Sequence, residues 1–408
     1  MADQSQKRVY HLTSAVCSES EYNKINIKDE YKTSQAGTKY FRVFTSGFVK
    51  NGEEIKVFSK RPTNKVRSGK RFLPAKNEND GGVQYHYSRK LHFPVLNDLY
   101  SYLSAFFWYL SSKNCSKNDV VFLDPLNVSI SLGTIAACKI RKIPTIAYIT
   151  DVPGCYCFSG GKKMSRTMRA SQKANQSVDG YINITPEIDE LLNKQGKPSI
   201  AVEGFVSEVM ADKENTLSGK YGKKVVMYTG AIEKIYGLDM LVKGFLKADV
   251  RDSELHFYGA GKYVEEIIEI AKHDERIKYM GCKDNAYVVN EQLKATLLVN
   301  PRYSNEEYTK YSFPSKNLEY AASGTPTLTT NLPGMPKEYK DYVFILEDES
   351  VDGMAEKLKE ILSMPREELH SFGATAKKWV LENKNSKAQI KKIIEFTDTY
   401  FPIKKKGK

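Results

Sequence analysis

The chain has 408 residues, 41% of them hydrophobic and 27% charged, which suits two or three packed domains and excludes a peptide, wholesale disorder or a collagen-like repeat. Lys plus Arg outnumber Asp plus Glu by 62 to 49, a net charge of +13 that fits an anionic partner: nucleic acid, a phosphorylated metabolite or an acidic membrane face. Cys17, Cys115, Cys138, Cys155, Cys157 and Cys282 are too sparse for a disulfide scaffold, and without a Cys-x-x-Cys pair they argue against structural zinc and for a reducing cytosol.

Along the chain, the first eight residues lack the apolar core of a secretory signal, so a cytoplasmic protein is expected. A strand is predicted over 9–12, then a long polar loop over 14–36. A helix follows with Gly37 at its start and Tyr40, Val43, Phe44 and Phe48 on one face. Further strands are predicted over 55–58, 120–123, 145–149 and 181–184. The most apolar stretch, 99–110, is broken by serines and is far shorter than the ~20 residues that cross a bilayer.

A polar break over 207–224 reads as a linker. Beyond it, strands are predicted over 225–228, 255–258, 296–300, 327–330 and 342–346. Helix faces fall between them at Leu238, Leu241, Val242, Phe245 and Leu246, at Val264, Ile267, Ile268 and Ala271, and over 316–323. Met354, Leu358, Ile361 and Leu362 close this half. A separate amphipathic tail carries Ile390, Ile393, Ile394 and Phe396 and ends in Lys404, Lys405 and Lys406. The alternation predicts an α/β fold of two Rossmann-like domains, 1–206 and 207–385, with 386–408 crossing back to the first. Ligands are expected in a central cleft at the carboxyl ends of the strands.

The chemistry concentrates in residues 311–326. Pro314 suits the first turn of a helix, and Gly324 with Pro326 supplies its stop. Ser315 and Lys316 then sit among unpaired backbone amides, where a hydroxyl, an ammonium and a helix dipole suit a phosphate. Glu319, one turn deeper, is placed to accept two ribose hydroxyls. The plainer reading is a surface Lys316–Glu319 pair at i, i+3 beside the small residues Ala321 and Ala322.

This segment resembles the nucleotide-sugar signature of family-four GT-B glycosyltransferases, in particular the branch that builds bacterial surface polysaccharides. The resemblance covers residues 223–349 well and the remainder loosely. It implies a retaining, metal-independent transferase of the GT-B fold that needs no cofactor beyond its nucleotide-sugar co-substrate, most simply a UDP-sugar. By the same resemblance, Glu319 holds the donor ribose, and Ser315 and Lys316 face its diphosphate. Gly230, in Tyr228-Thr229-Gly230-Ala231-Ile232, matches the family's first glycine turn. Gly259 and Gly261 match the second turn, and Gly281 with Cys282 match the loop that reads the base. Gly37 matches a glycine that approaches the diphosphate from the other domain; otherwise it is a helix cap.

The departures fall on the phosphates. Many relatives carry an arginine and a lysine where Ala231 and Tyr236 stand, and a glutamate where Tyr311 stands. Lys316, Arg302 and Lys234 are the candidate replacement cations, and Glu306 or Glu307 the replacement carboxylates. Arg302 follows a predicted strand at its ligand-binding end, and its plainer reading is a solvated loop arginine.

Asp151 ends the strand over 145–149 and could hydrogen-bond an acceptor hydroxyl or the donor sugar; an Asx turn before Pro153-Gly154 is the alternative. Asp151 and Lys316 are the catalytic candidates. His11 reads as a packing group. No Asp-x-Asp occurs, so the carboxylate pair that holds a metal in the other glycosyltransferase fold is missing from the sequence.

Two basic stretches could rest on an anionic membrane surface, which suits a glycan acceptor carried on a polyprenyl lipid at the inner face of the membrane. One holds Lys60, Arg61, Lys65, Arg67, Lys70, Arg71 and Lys76; the other holds Lys162, Lys163, Arg166, Arg169 and Lys173. Phe106, Phe107, Trp108 and Tyr109 are nearby in sequence. A nucleic-acid partner is not expected, since the basic segments lack regular aromatic interleaving. A sugar-nucleotide epimerase and an inactive nucleotide-sugar-binding partner subunit remain the alternatives.

Overall fold

A computed structural model describes residues 7–27, 36–152, 165–206 and 210–403. The chain divides into two units, one made of residues 1–205 with 386–408 and the other of 206–385.

The first unit is built on an eight-stranded sheet. Its strands are β1 (Val9–Ser14), β2 (Glu54–Ser59), β4 (Lys76–Asp80), β5 (Val83–Tyr87), β7 (Val120–Leu123), β8 (Thr145–Ile149), β9 (Gly180–Asn183) and β10 (Ser199–Ala201). They lie in the order β10-β9-β8-β7-β1-β2-β5-β4. All neighbours are parallel except β4 and β5. Helices on both faces bury the central strands, so Val120 to Leu123 are apolar at every position rather than at alternate ones. A small antiparallel ribbon joins β3 (Phe72–Leu73) to β6 (Lys90–Leu91). The helices include α1 (Glu19–Ile25), α2 (Ala36–Lys50), α3 (Lys65–Ser68), α4 (Pro94–Leu110) and α5 (Val128–Arg141).

Helix Ser386–Tyr400 belongs to this unit and packs on α2. Only a glycine fits at 47, because a Cβ there would stand 2.4 Å from Ile390 Cγ1. Gln389 Nε2 also donates to the Gly204 carbonyl at 2.9 Å.

The second unit has six parallel strands: β11 (Lys224–Thr229), β12 (Ser253–Tyr258), β13 (Ile277–Gly281), β14 (Leu297–Asn300), β15 (Thr327–Thr330) and β16 (Phe344–Leu346). Their order is β13-β12-β11-β14-β15-β16. Its core joins Val226, Tyr228, Leu255, Phe257, Leu297 and Val299 to the helix residues Leu241, Phe245, Met354 and Leu358.

Four expectations need correction. The polar loop over 14–36 contains α1, started by the Ser18 hydroxyl accepting from the Glu21 N–H at 3.0 Å. A hairpin was missed at β4–β5, where the Lys-Asn-Glu-Asn-Asp strand has no apolar alternation; Gly81 and Gly82 turn it, both with positive φ. The described part of the polar break over 207–224 is packed against its own unit rather than a bare tether. Met210 is buried, Asn215 Nδ2 donates to Ser323 O at 2.9 Å, and Lys220 Nζ donates to Ala295 O at 3.0 Å. Finally, of the expected loop pair Gly281 is the last residue of a strand, and only Cys282 lies beyond it. Lys404 to Lys406, Cys155, Cys157, Pro153, Gly154, Lys162 and Lys163 lie outside the described residues. Among the described residues, no helix is long and apolar enough to cross a membrane.

Candidate active site

In the second sheet, strand order reverses between β11 and β14, the point where the carboxyl ends of an open parallel sheet leave a ligand crevice. Gly230 leaves β11 and Arg302 follows β14. Helix Ser315–Ser323 is fixed between them by buried polar contacts. Asn300 Nδ2 donates to Asn317 Oδ1 at 2.8 Å, and the Thr229 N–H donates to the Tyr320 hydroxyl at 3.0 Å. Pro314 is the cap of this helix, just outside its first turn, and Gly324 ends it at φ 76°.

Lys316 does not pair with Glu319. Its ammonium lies over two aromatic rings, 5.3 Å from the centroid of Tyr228 and 5.9 Å from that of Tyr236. Arg302 lies over Tyr236 as well, at 5.0 Å, and its buried Nε has no hydrogen-bond partner. Two cations thus share one tyrosine, and among the described residues no carboxylate forms an ion pair with either. Burial above all, and next the charge of Arg302, lower the Lys316 pKa to about 8, while Glu319 works in the opposite direction. An anion received here would relieve both desolvation and repulsion.

Gly230 has φ 131°, and a Cβ there would stand 2.4 Å from Lys316 Cε. The glycine therefore makes room for the lysine's aliphatic end. Glu319 is oriented by the buried Gln292, whose Nε2 donates to Glu319 Oε1 at 2.7 Å and to Thr229 Oγ1 at 3.1 Å. Ser315 is exposed in the first helical turn.

The other candidates are placed differently. At Gly259 the missing side chain serves strand packing, since a Cβ would lie 1.8 Å from the Gly230 carbonyl oxygen. Its N–H donates to Gly281 O, so that donor is not spare for a ligand, and its carbonyl accepts from the Tyr279 hydroxyl. Gly281 has φ 81° and nothing within 4 Å of where a Cβ would stand, and Cys282 is exposed beside it. Lys234 turns to the surface and pairs with Glu266 at 2.6 Å. Glu307 is engaged by Lys310 at 3.1 Å and by the Tyr311 hydroxyl at 3.0 Å.

In the first unit, Gly37 lies exposed in the first turn of α2 with nothing within 4 Å of a Cβ. Asp151 follows β8 and is exposed; partial desolvation raises its pKa and the Val152 N–H opposes the rise. At this sheet's own reversal, between β1 and β7, stands a carboxylate that sequence reasoning missed. Asp124 is buried, accepts from Ser14 Oγ at 2.9 Å, and has a raised pKa through burial.

His11, Cys115 and Asp119 place ligand-type atoms within 4.8 Å of one another. However, Asp119 already accepts from Ser116 N at 2.7 Å and Val9 N at 3.2 Å and pairs with His11 Nε2 at 3.0 Å. Burial pushes the Cys115 thiol well up, opposite to what a thiolate ligand needs. This set reads as packing. A cavity of about 490 Å³ lined by Trp108, His86 and Asn77 also belongs to the first unit and shares no residue with the cation pair.

Residues 211–379 match the family model described as Glycosyl transferases group 1. A glycosyltransferase from Rickettsia africae ESF-5 superposes with a TM-score of 0.65 at 12% identity, over 97% of this chain and 99% of that one. Anabaena Alr3699/HepE in complex with UDP gives 0.63 at 10% identity, over 96% and 100%. The fold is GT-B. A mutant of TarM from S. aureus, in complex with fondaparinux, alpha-GlcNAc-glycerol and UDP, shares this GT-B likeness at 13% identity and a TM-score of 0.56; the match covers 76% of this chain and 59% of that one. No curated protein matches the chain. Both the cation pair and Glu319 lie inside the stretch that the family model covers.

Proposed function

We propose that the protein is a glycosyltransferase that moves a sugar from a nucleoside diphosphate donor, a UDP-sugar, to a hydroxyl of a glycan or lipid-linked saccharide. The observation that carries this reading is the convergence of Lys316 and Arg302 on Tyr236, with no ion-paired carboxylate among the described residues, at the strand-order reversal of the matched domain. Aromatic faces hold the two cations in place of the cations that relatives carry at Ala231 and Tyr236.

In this reading the bond between the anomeric carbon and the β-phosphate oxygen breaks, and a bond to the acceptor oxygen forms. The acceptor proton passes to the departing phosphate, which leaves as UDP. Lys316, Arg302 and the amides at Ser315 stabilise the negative charge that grows on that phosphate, the task a divalent ion performs elsewhere. Glu319, held by Gln292, accepts the ribose hydroxyls, and the backbone at Gly281 and Cys282 lies toward the base. In the first unit, Asp151 is the residue proposed for the acceptor hydroxyl. The transfer proceeds with retention, and the chain works in the cytoplasm.

Calorimetry with UDP, UDP-glucose and GDP-mannose tests the reading. UDP is expected to bind, and Glu319→Ala to weaken it and abolish turnover with unchanged circular dichroism. Undetectable binding of all three nucleotides by the intact protein overturns it. Binding of UDP without transfer or hydrolysis of any donor points instead to a partner subunit.

A further inference from the structure

Helix α4 turns its apolar face to solvent. At about 100° per residue, Leu96, Leu99, Leu103 and Phe107 fall within an arc of about 80°. Their exposures are 59, 57, 40 and 61%. The opposite face carries Asn97, Ser101, Ala105 and Tyr109, all buried. These mostly small residues let α4 approach α5 so closely that a Cβ on Gly133 would lie 2.2 Å from the Tyr102 carbonyl oxygen. A helix on the surface of a soluble domain ordinarily shows the reverse arrangement.

The patch continues beyond the helix. Phe93 and Val95 are exposed at its start, and the ribbon that leads into it pairs Phe72, itself exposed, with Leu91. The His92 N–H donates to the Arg71 carbonyl at 3.1 Å, which sets the 65–72 segment beside the beginning of α4. That segment exposes Val66 together with Lys65, Lys70 and Arg71, and Arg89 is exposed next to the ribbon. The one acid of α4, Asp98, is neutralised by Lys60 at 2.8 Å. Arg61 and Lys76, by contrast, are spent on Glu21.

We propose that this face docks on an anionic bilayer. The leucines and phenylalanines of α4 enter the boundary between headgroups and acyl chains, and the Lys65, Lys70, Arg71 and Arg89 cluster sits on lipid phosphates. Charge selects the occupant. A second copy of this chain would bring like charges together around the apolar stripe, whereas acidic lipid supplies the opposite sign. The inference uses no residue of the proposed donor site, so either can fail alone.

Co-sedimentation with vesicles of phosphatidylcholine mixed with phosphatidylglycerol, and with pure phosphatidylcholine, tests it. The intact protein is expected to pellet with the mixed vesicles and to lose that binding as salt rises. A Leu99→Glu, Leu103→Glu, Phe107→Glu variant should lose it altogether while keeping its circular dichroism. A Lys65→Gln, Lys70→Gln, Arg71→Gln variant should lose the preference for the acidic vesicles. Three results overturn the proposal: no pelleting of the intact protein, equal pelleting with both compositions, or a dimer in light scattering that the Leu/Phe variant disperses and that binds no vesicle. UDP calorimetry on the same variants reads the donor site separately and should be unchanged.

Discussion

Each unit surrounds cations with protein, and the two do so in opposite ways. In the first, the buried Arg61 meets Glu21 at 3.1 Å and donates to the carbonyls of Ser88 and Pro74, while Lys76 reaches the same Glu21 at 2.8 Å. Burial works to raise the Glu21 pKa, but hydrogen bonds and charge from Lys76 and Arg61 outweigh it and hold the carboxylate below its usual range. In the second, Lys316 and Arg302 have tyrosine faces where carboxylates would be, and each raises the cost of the other's charge. A completed pair serves the fold; an uncompleted one is, in the proposed function, where an anion from outside would be received.

Substitutions separate the two cases. Glu21→Ala should cost about 3–5 kcal/mol of stability, because it strands a buried guanidinium; the measurement is the urea unfolding midpoint, and an unchanged midpoint breaks the comparison. Lys316→Met should leave that midpoint in place or raise it, since it removes repulsion. It should weaken UDP binding by about 1.5–3 kcal/mol, the worth of a charged hydrogen bond, as read by calorimetry.

Gly230→Ala places a Cβ against the Lys316 chain at a positive φ. A strain of about 1–3 kcal/mol is expected, visible as weaker UDP binding together with a lower midpoint.

The pH dependence sharpens the contrast. Lys316 has a folded pKa depressed to about 8 against 10.5 for an ordinary lysine. Between those values the unfolded chain holds the extra proton, so the stability of the ligand-free protein should rise with pH through this window. UDP affinity should fall over the same window, by up to about tenfold per pH unit where only the ammonium binds. Both trends should vanish in Lys316→Met. The smallest effect is expected from Lys234→Ala. It removes an exposed pair with Glu266, and it should change stability by no more than about 1 kcal/mol and UDP binding not at all.

The strands of the second unit were legible because a sheet covered on both faces writes itself as unbroken apolar runs, as in Val225 to Tyr228. Helix Ser315–Ser323 was legible from its proline and glycine punctuation. The β4–β5 hairpin was not, since its first strand lies at an edge with no apolar alternation, and only the Gly81-Gly82 pair marked it. Within the site, Lys316 and Arg302 could be named from position, but what brings them together is Tyr236, which the sequence showed only as a lost lysine. Gln292 escaped notice because its partners, Thr229 and Glu319, are 63 and 27 residues away. Gly259 was matched to a glycine turn of the donor site by resemblance, and its space is taken by the backbone carbonyl of Gly230. Spacing alone cannot tell a glycine that admits a substrate from one that admits a neighbour.

The seating of Ile390 against Gly47 has a consequence for how the polypeptide matures. Residues 206–385 are contiguous and can close their sheet as soon as they are synthesised, whereas the other unit waits for a helix encoded about 180 codons later than its last strand. The portion made first is therefore completed last, and until then the α2 face at Gly47 that receives Ile390 is uncovered.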